Sequence, residues 1–105
     1  MSQKIFDGQS ADGPSLDFIH NTLRTDTLLI YVQGNLGGGT ITLRAYVPEE
    51  GSSVSVPVSG GVIEETGLSV LEAPAFKGFA RLNGSSGANV NMWIEQGSEA
   101  LSRIT

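Results

Sequence analysis

His20 is the single histidine and the chain has no cysteine, so any pairing of a nucleophile with a basic ring would have to be built around that one imidazole. Its apolar-flanked setting reads as structural. Paired carboxylates occur at Glu49-Glu50 and Glu64-Glu65. Adjacent strand residues point to opposite faces, so neither doublet has the spacing of a general acid/base pair. Charges at such turns and edges discourage edge-to-edge aggregation. Asp7-Gly8, Asp12-Gly13 and Asp17 invite a calcium reading, because a hard cation takes several oxygens from a flexible loop. Their spacing departs from the EF-hand loop, and Asp-Gly is a common turn pair. The stretch Gly34-Asn35-Leu36-Gly37-Gly38-Gly39-Thr40 has the glycines of a phosphate cradle without its lysine or following helix, and reads as a turn. These residues predict no catalytic group, no metal and no cofactor. The function they leave is binding or assembly rather than conversion of a substrate.

Tyr46 and Trp93 point the same way. Alternation places both on strand faces that otherwise carry polar or charged residues, and exposed aromatics are enriched at binding surfaces. The elements that would hold them are short. Fourteen glycines fall between brief apolar runs, the pattern of strands and turns. Over 27–34, Leu28, Ile30 and Val32 point one way and Leu29, Tyr31 and Gln33 the other, both faces being apolar enough to be covered. Over 40–47, Ile41, Leu43, Ala45 and Val47 are inward and Thr42, Arg44 and Tyr46 outward, and this run is expected to form a hairpin with 27–34. Val54, Val56 and Val58 alternate next, with Pro57 demoting the run to an edge strand. Gly60-Gly61 is expected to turn the chain into strands over 62–66 and 68–72. The run 76–82 alternates Phe76, Gly78, Ala80 and Leu82 against Lys77, Phe79 and Arg81. The last strand, 88–96, has Ala88, Val90, Met92 and Ile94 inward. The most helix-like piece is 15–23, where Leu16, Ile19, His20 and Leu23 could share a face of a short helix or turn, but it lacks the capped, uninterrupted length of a typical helix.

These runs predict an all-β fold, an antiparallel β-sandwich or jelly-roll-like barrel of six to eight short strands. A single domain of 105 residues buries only roughly 65% of the surface its unfolded chain exposes. With no disulfide or zinc framework available, oligomerisation is the reinforcement left. The net charge is −5, with Lys4, Arg24, Arg44, Lys77, Arg81 and Arg103 scattered singly. Nucleic-acid affinity rests on clustered cations, so neither a nucleic acid nor an anionic membrane is the expected partner. No run is long enough for a signal peptide or a membrane span, which predicts a soluble protein made in a cytoplasm.

Residues 1–26 differ from the rest, being polar, acidic and rich in Asp-Gly, with Ile5, Phe6, Leu16, Phe18 and Ile19 as their apolar anchors. They read as an extended N-terminal arm held by a neighbouring subunit or a partner surface, leaving 27–105 as the β-sandwich domain.

Between Leu28 and Ile94 the order of features resembles that of small β-sandwich virion proteins of tailed bacteriophages. Gly38-Gly39-Thr40-Ile41-Thr42-Leu43 is similar to the glycine-opened strand of that group. The turn and valine-rich strand from Glu49 to Val58 follow, then Lys77-Gly78-Phe79-Ala80-Arg81, then Ser86-Gly87-Ala88-Asn89-Val90-Asn91-Met92-Trp93-Ile94. The arm and the tail 99–105 fall outside the resemblance. It implies a non-enzymatic structural protein, a capsid decoration or cement protein, head-fibre base or small tail component. Such a protein is made in the host cytoplasm and resides on the capsid surface, binding the major capsid protein and itself as a dimer or trimer. On this reading Ile5, Phe6, Leu16, Phe18 and Ile19 dock onto the partner, and removal of 1–26 leaves a folded domain. The alternative is a carbohydrate- or receptor-binding module of a tail or fibre protein, with Tyr46 and Trp93 as contact platforms.

Overall fold

The computed structural model describes residues 3–20 and 27–96. The 21–23 end of the helix-like stretch, the boundary expected at residue 26 and the tail 99–105 lie outside the described residues. Nine strands follow in order: β1 Gln3–Gln9, β2 Gly13–Pro14, β3 Phe18–His20, β4 Thr27–Asn35, β5 Thr40–Tyr46, β6 Ser55–Ile63, β7 Gly67–Glu72, β8 Phe76–Asn83 and β9 Asn89–Gln96. A short 3-10 turn at Pro48–Ser53 joins β5 to β6.

Two antiparallel sheets face each other. Sheet A has the order β1-β9-β4-β7, and sheet B the order β2-β8-β5-β6 with β3 also paired to β8. Counting β2 and β3 as one interrupted strand gives eight strands in two four-stranded sheets, the jelly-roll arrangement. The alternation read from the sequence accounts for the centre of the core. Leu28, Ile30, Val32, Val90, Met92 and Ile94 of sheet A meet Ile41, Leu43, Ala80 and Leu82 of sheet B, all buried. Pro57 does lie on an edge strand, β6.

Three expectations change. First, β4 and β5 do not form a hairpin: β4 pairs with β7 and β9, while β5 pairs with β6 and β8. The intervening loop arches from one sheet to the other. Leu36 is buried in it, and Ser86 donates its N–H to the Gly37 carbonyl at 2.9 Å. Gly34 starts the arch at φ +108°, where a Cβ would stand 2.0 Å from the Asn89 carbonyl oxygen, so no larger residue fits. Second, β6 runs through Gly60-Gly61 without turning, absorbing the glycines in a register shift opposite Thr42 and Arg44. Such a bulge accommodates extra residues while preserving the ladder on either side.

Third, residues 3–20 are strands of the sandwich and not a separate arm. β1 pairs with β9, while β2 and β3 pair with β8. A register shift between Lys4 and Phe6 turns the consecutive residues Ile5 and Phe6 both inward, which plain alternation does not permit. Of the described part of the helix-like stretch, 15–20, residues 15–17 are irregular and Phe18–His20 are strand β3, with Phe18 and His20 inward and Ile19 outward. Asp12 ties this segment to the β8–β9 turn, accepting hydrogen bonds from Gly84 N, Ser85 N and Ser85 Oγ at 2.9, 2.9 and 2.6 Å.

Candidate docking surface

The outward side chains of sheet B follow from the same alternation that fills the core. On β8, Lys77, Phe79 and Arg81 alternate with inward Gly78, Ala80 and Leu82. On β5, Thr42, Arg44 and Tyr46 alternate with inward Ile41, Leu43 and Ala45. Pairing sets Arg81 beside Thr42 and Phe79 beside Arg44. On one flank Ile19 is beside Lys77, and on the other Val62 is beside Thr42 and Ser55 beside Tyr46. Three of the chain's six basic residues thus share one face.

The centre of this face is aromatic. The Tyr46 and Phe79 rings lie 5.4 Å apart at 38°, and Lys77 Nζ stands 6.0 Å from the Tyr46 centroid. Tyr46 donates its hydroxyl proton to Asp17 Oδ1 at 2.6 Å. That bond favours the neutral phenol and raises the Tyr46 pKa. Arg44 is held by donating to Ser55 Oγ and Ser55 O, each at 2.9 Å. On this face Arg44, Lys77 and Arg81 gather beside the Asp17 carboxylate, with Asp12 close enough to Arg81 to feel its charge, on a chain whose net charge is −5. Ile19 adds an apolar side chain that is 67% exposed.

The outward face of sheet A is different. Lys4, Trp93, Tyr31 and Leu68 form one cross-strand row, and Glu95, Leu29 and Val70 the next. Lys4 Nζ lies 5.1 Å above the Trp93 ring and pairs with Asp7 at 3.0 Å. Leu29 and Glu95 are buried although they are on the outward side.

The expected site residues therefore separate into groups. Ile5, Phe6 and Phe18 are in the core, at 3%, 1% and 2% exposure, and cannot reach a partner without unfolding their own chain. Leu16 and Ile19 are exposed. Tyr46 and Trp93 lie on opposite outer faces and cannot form one site. His20 is buried, its ring edge-on to Phe76 at 5.7 Å and its Nε2 2.9 Å from the Ala73 carbonyl oxygen. Asp7, Asp12 and Asp17 engage Lys4, the Gly84-Ser85 turn and Tyr46 respectively, so they do not converge on one point. Glu64 and Glu65 rim an open hollow beside the Gly34–Gly39 arch.

Arg44, Lys77 and Arg81 were not singled out from the sequence. Their alternation was legible, but nothing local says that β5 and β8 are neighbours. The chain matches no protein-family model, and neither a curated protein nor a solved structure is significantly similar to it.

Proposed function

We propose that the chain is a non-enzymatic structural protein of a tailed-phage virion, a capsid decoration protein that docks on the assembled major capsid protein and stabilises the head. The observation that carries the docking reading is the gathering of Arg44, Lys77 and Arg81 around Tyr46 and Phe79, with Ile19 exposed beside them. A face of this kind fits a carboxylate-bearing protein surface, with Tyr46 at its centre and Ile19 on its flank as apolar contacts. The virion assignment draws on the family resemblance and on the jelly-roll order, which recurs in capsid and lectin domains. Fold analogy alone assigns no function, so the face bears the argument. The carbohydrate alternative has less support, because lysines lie over both candidate rings, Lys77 over Tyr46 and Lys4 over Trp93.

The test is co-sedimentation of the purified chain with shells of the phage that encodes it, at increasing salt, alongside mass spectrometry of intact particles. Saturable binding that weakens with salt is expected. A K77E/R81E variant should bind roughly tenfold more weakly, equivalent to about 1.4 kcal/mol. Absence of the chain from particles, or occupancy indifferent to both salt and the two reversals, overturns the reading.

A further inference from the structure

Among the described residues the sandwich has four edges, and three carry features that block further pairing. β1 has two register shifts and Lys4 and Asp7. On the far side of sheet B, β2 and β3 are two and three residues long, with Pro14 in β2. β6 contains Pro57 and a register shift. Prolines, bulges, short lengths and charges are how natural sheets avoid edge-to-edge association.

β7 has none of these until its final residue. Gly67-Leu68-Ser69-Val70-Leu71-Glu72 pairs in regular register with β4, its one ladder partner among the described residues. Leu68 and Val70 project from its outward side at 59% and 61% exposure. Of the seven large apolar side chains exposed among the described residues, five are on β6 and β7 or immediately before β6: Val54, Val56, Val62, Leu68 and Val70. The unprotected edge and the apolar exposure coincide on one flank.

We propose that β7 pairs antiparallel with β7 of a second copy of this chain, joining two copies of sheet A into one eight-stranded sheet. An open ladder is satisfied only by another strand or by water, and this strand is self-complementary. Centring the two-fold on Ser69 sets Leu68 beside Val70 of the partner copy, twice, on the same outward side, since antiparallel pairing preserves alternation. Centring it on Val70 instead would set Leu68 against Glu72. A standard interface takes about 800 Å² from each partner, roughly one seventh of the chain's 5848 Å², which a single flank can provide. The Ser69 register also brings Glu72 opposite Thr66 and diagonal to Glu64 of the second copy, so salt strengthens this contact by screening like charges. That sign is opposite to the one expected for docking through the face of sheet B, and the inference stands independently of that docking.

Light scattering after size exclusion reads the mass directly. At tens of micromolar the wild-type chain should run at twice its 11.0 kDa mass, and L68K/V70K should halve that value with an unchanged circular dichroism spectrum. I19K, on the opposite flank, should stay dimeric. A second variant does not depend on tolerance of lysines. The chain is free of cysteine, and residues facing each other across an antiparallel pair are about 4.5–5.5 Å apart at Cα, within disulfide range. S69C should therefore cross-link under mild oxidation, and V62C should not. A monomeric wild type up to about 100 μM, a trimer, or V62C cross-linking as fast as S69C overturns the proposal.

Discussion

Replacing Phe6 by alanine separates an N-terminal segment that belongs to the core from one that serves as an arm. The ring is 1% exposed and sits beside Ile5 in the shared core. Truncating a buried phenylalanine costs about 3–5 kcal/mol, from lost transfer free energy and the cavity left behind. A domain of this size is stable by only about 5–15 kcal/mol. With a urea m-value of about 1.5 kcal/mol/M, the midpoint should fall by about 2–3 M. Trp93 on β9 reports the transition, being the only tryptophan and paired to Lys4, which is on β1 with Phe6. Ile19→Ala, at an exposed position, should stay within about 0.5 kcal/mol of wild type. Deleting residues 1–26 goes further. It removes Ile5, Phe6 and Phe18, each worth about 1.5–3 kcal/mol of burial, together with the β1–β9 ladder, so the remainder should lack a cooperative transition. A Phe6→Ala midpoint within about 0.3 M of wild type, or a truncated chain that still unfolds cooperatively, refutes the reasoning.

Gly78→Ala should destabilise strongly, because a Cβ there would lie 1.9 Å from the Arg44 carbonyl oxygen, and backbone cannot step aside. A loss of at least about 2 kcal/mol and a fall in Tm of roughly 10 °C are expected by calorimetry. The Asp12 carboxylate has its pKa lowered, first by the Ser85 hydroxyl and then by the backbone N–H groups of Ser85 and Gly84. A depressed folded pKa gives stability that is complete above the unfolded value, 3.8, and is lost as pH falls through the folded one. Asp12→Asn should flatten the acid limb of the stability curve below about pH 4, read by urea titration at several pH values. Tyr46 has the opposite sign: its raised pKa contributes stability below 10.0 that is lost at higher pH. Ultraviolet titration should show the Tyr46 transition shift down in Asp17→Asn.

Local periodicity was enough to assign the inward residues of β5 and β9, each with one apolar and one mixed face, and for β4 and β8 it separated the two faces without saying which is inward. It also identified β6 as an edge from Pro57. It failed where the answer lay between strands. A Gly-rich connection reads as a hairpin whether it returns to the same sheet or arches across to the other, and Leu36 was the one side chain in it that hinted at burial. Residues 3–20 looked like an arm because their polar composition is that of an edge, and the bulge that turns Ile5 and Phe6 inward breaks the period on which a strand is recognised. The candidate face was half legible. Both Arg44-x-Tyr46 and Lys77-x-Phe79-x-Arg81 were on outward faces, but their meeting depends on β5 and β8 lying side by side, some 30 residues apart in sequence.

The pairing of β1 with β9 also sets a timetable. The first of the described strands is completed by the last of them: Gln3 aligns with Ile94 and Lys4 with Trp93. β4 likewise waits for β7 and β9 on its two sides. At roughly 5–20 residues per second, β1 spends about 4–17 s on the ribosome before its partner exists. During that interval Ile5 and Phe6 are uncovered. Closure therefore waits for β9, slow because its contacts are non-local, and the nascent chain is at greatest risk of aggregation just before β9 is made.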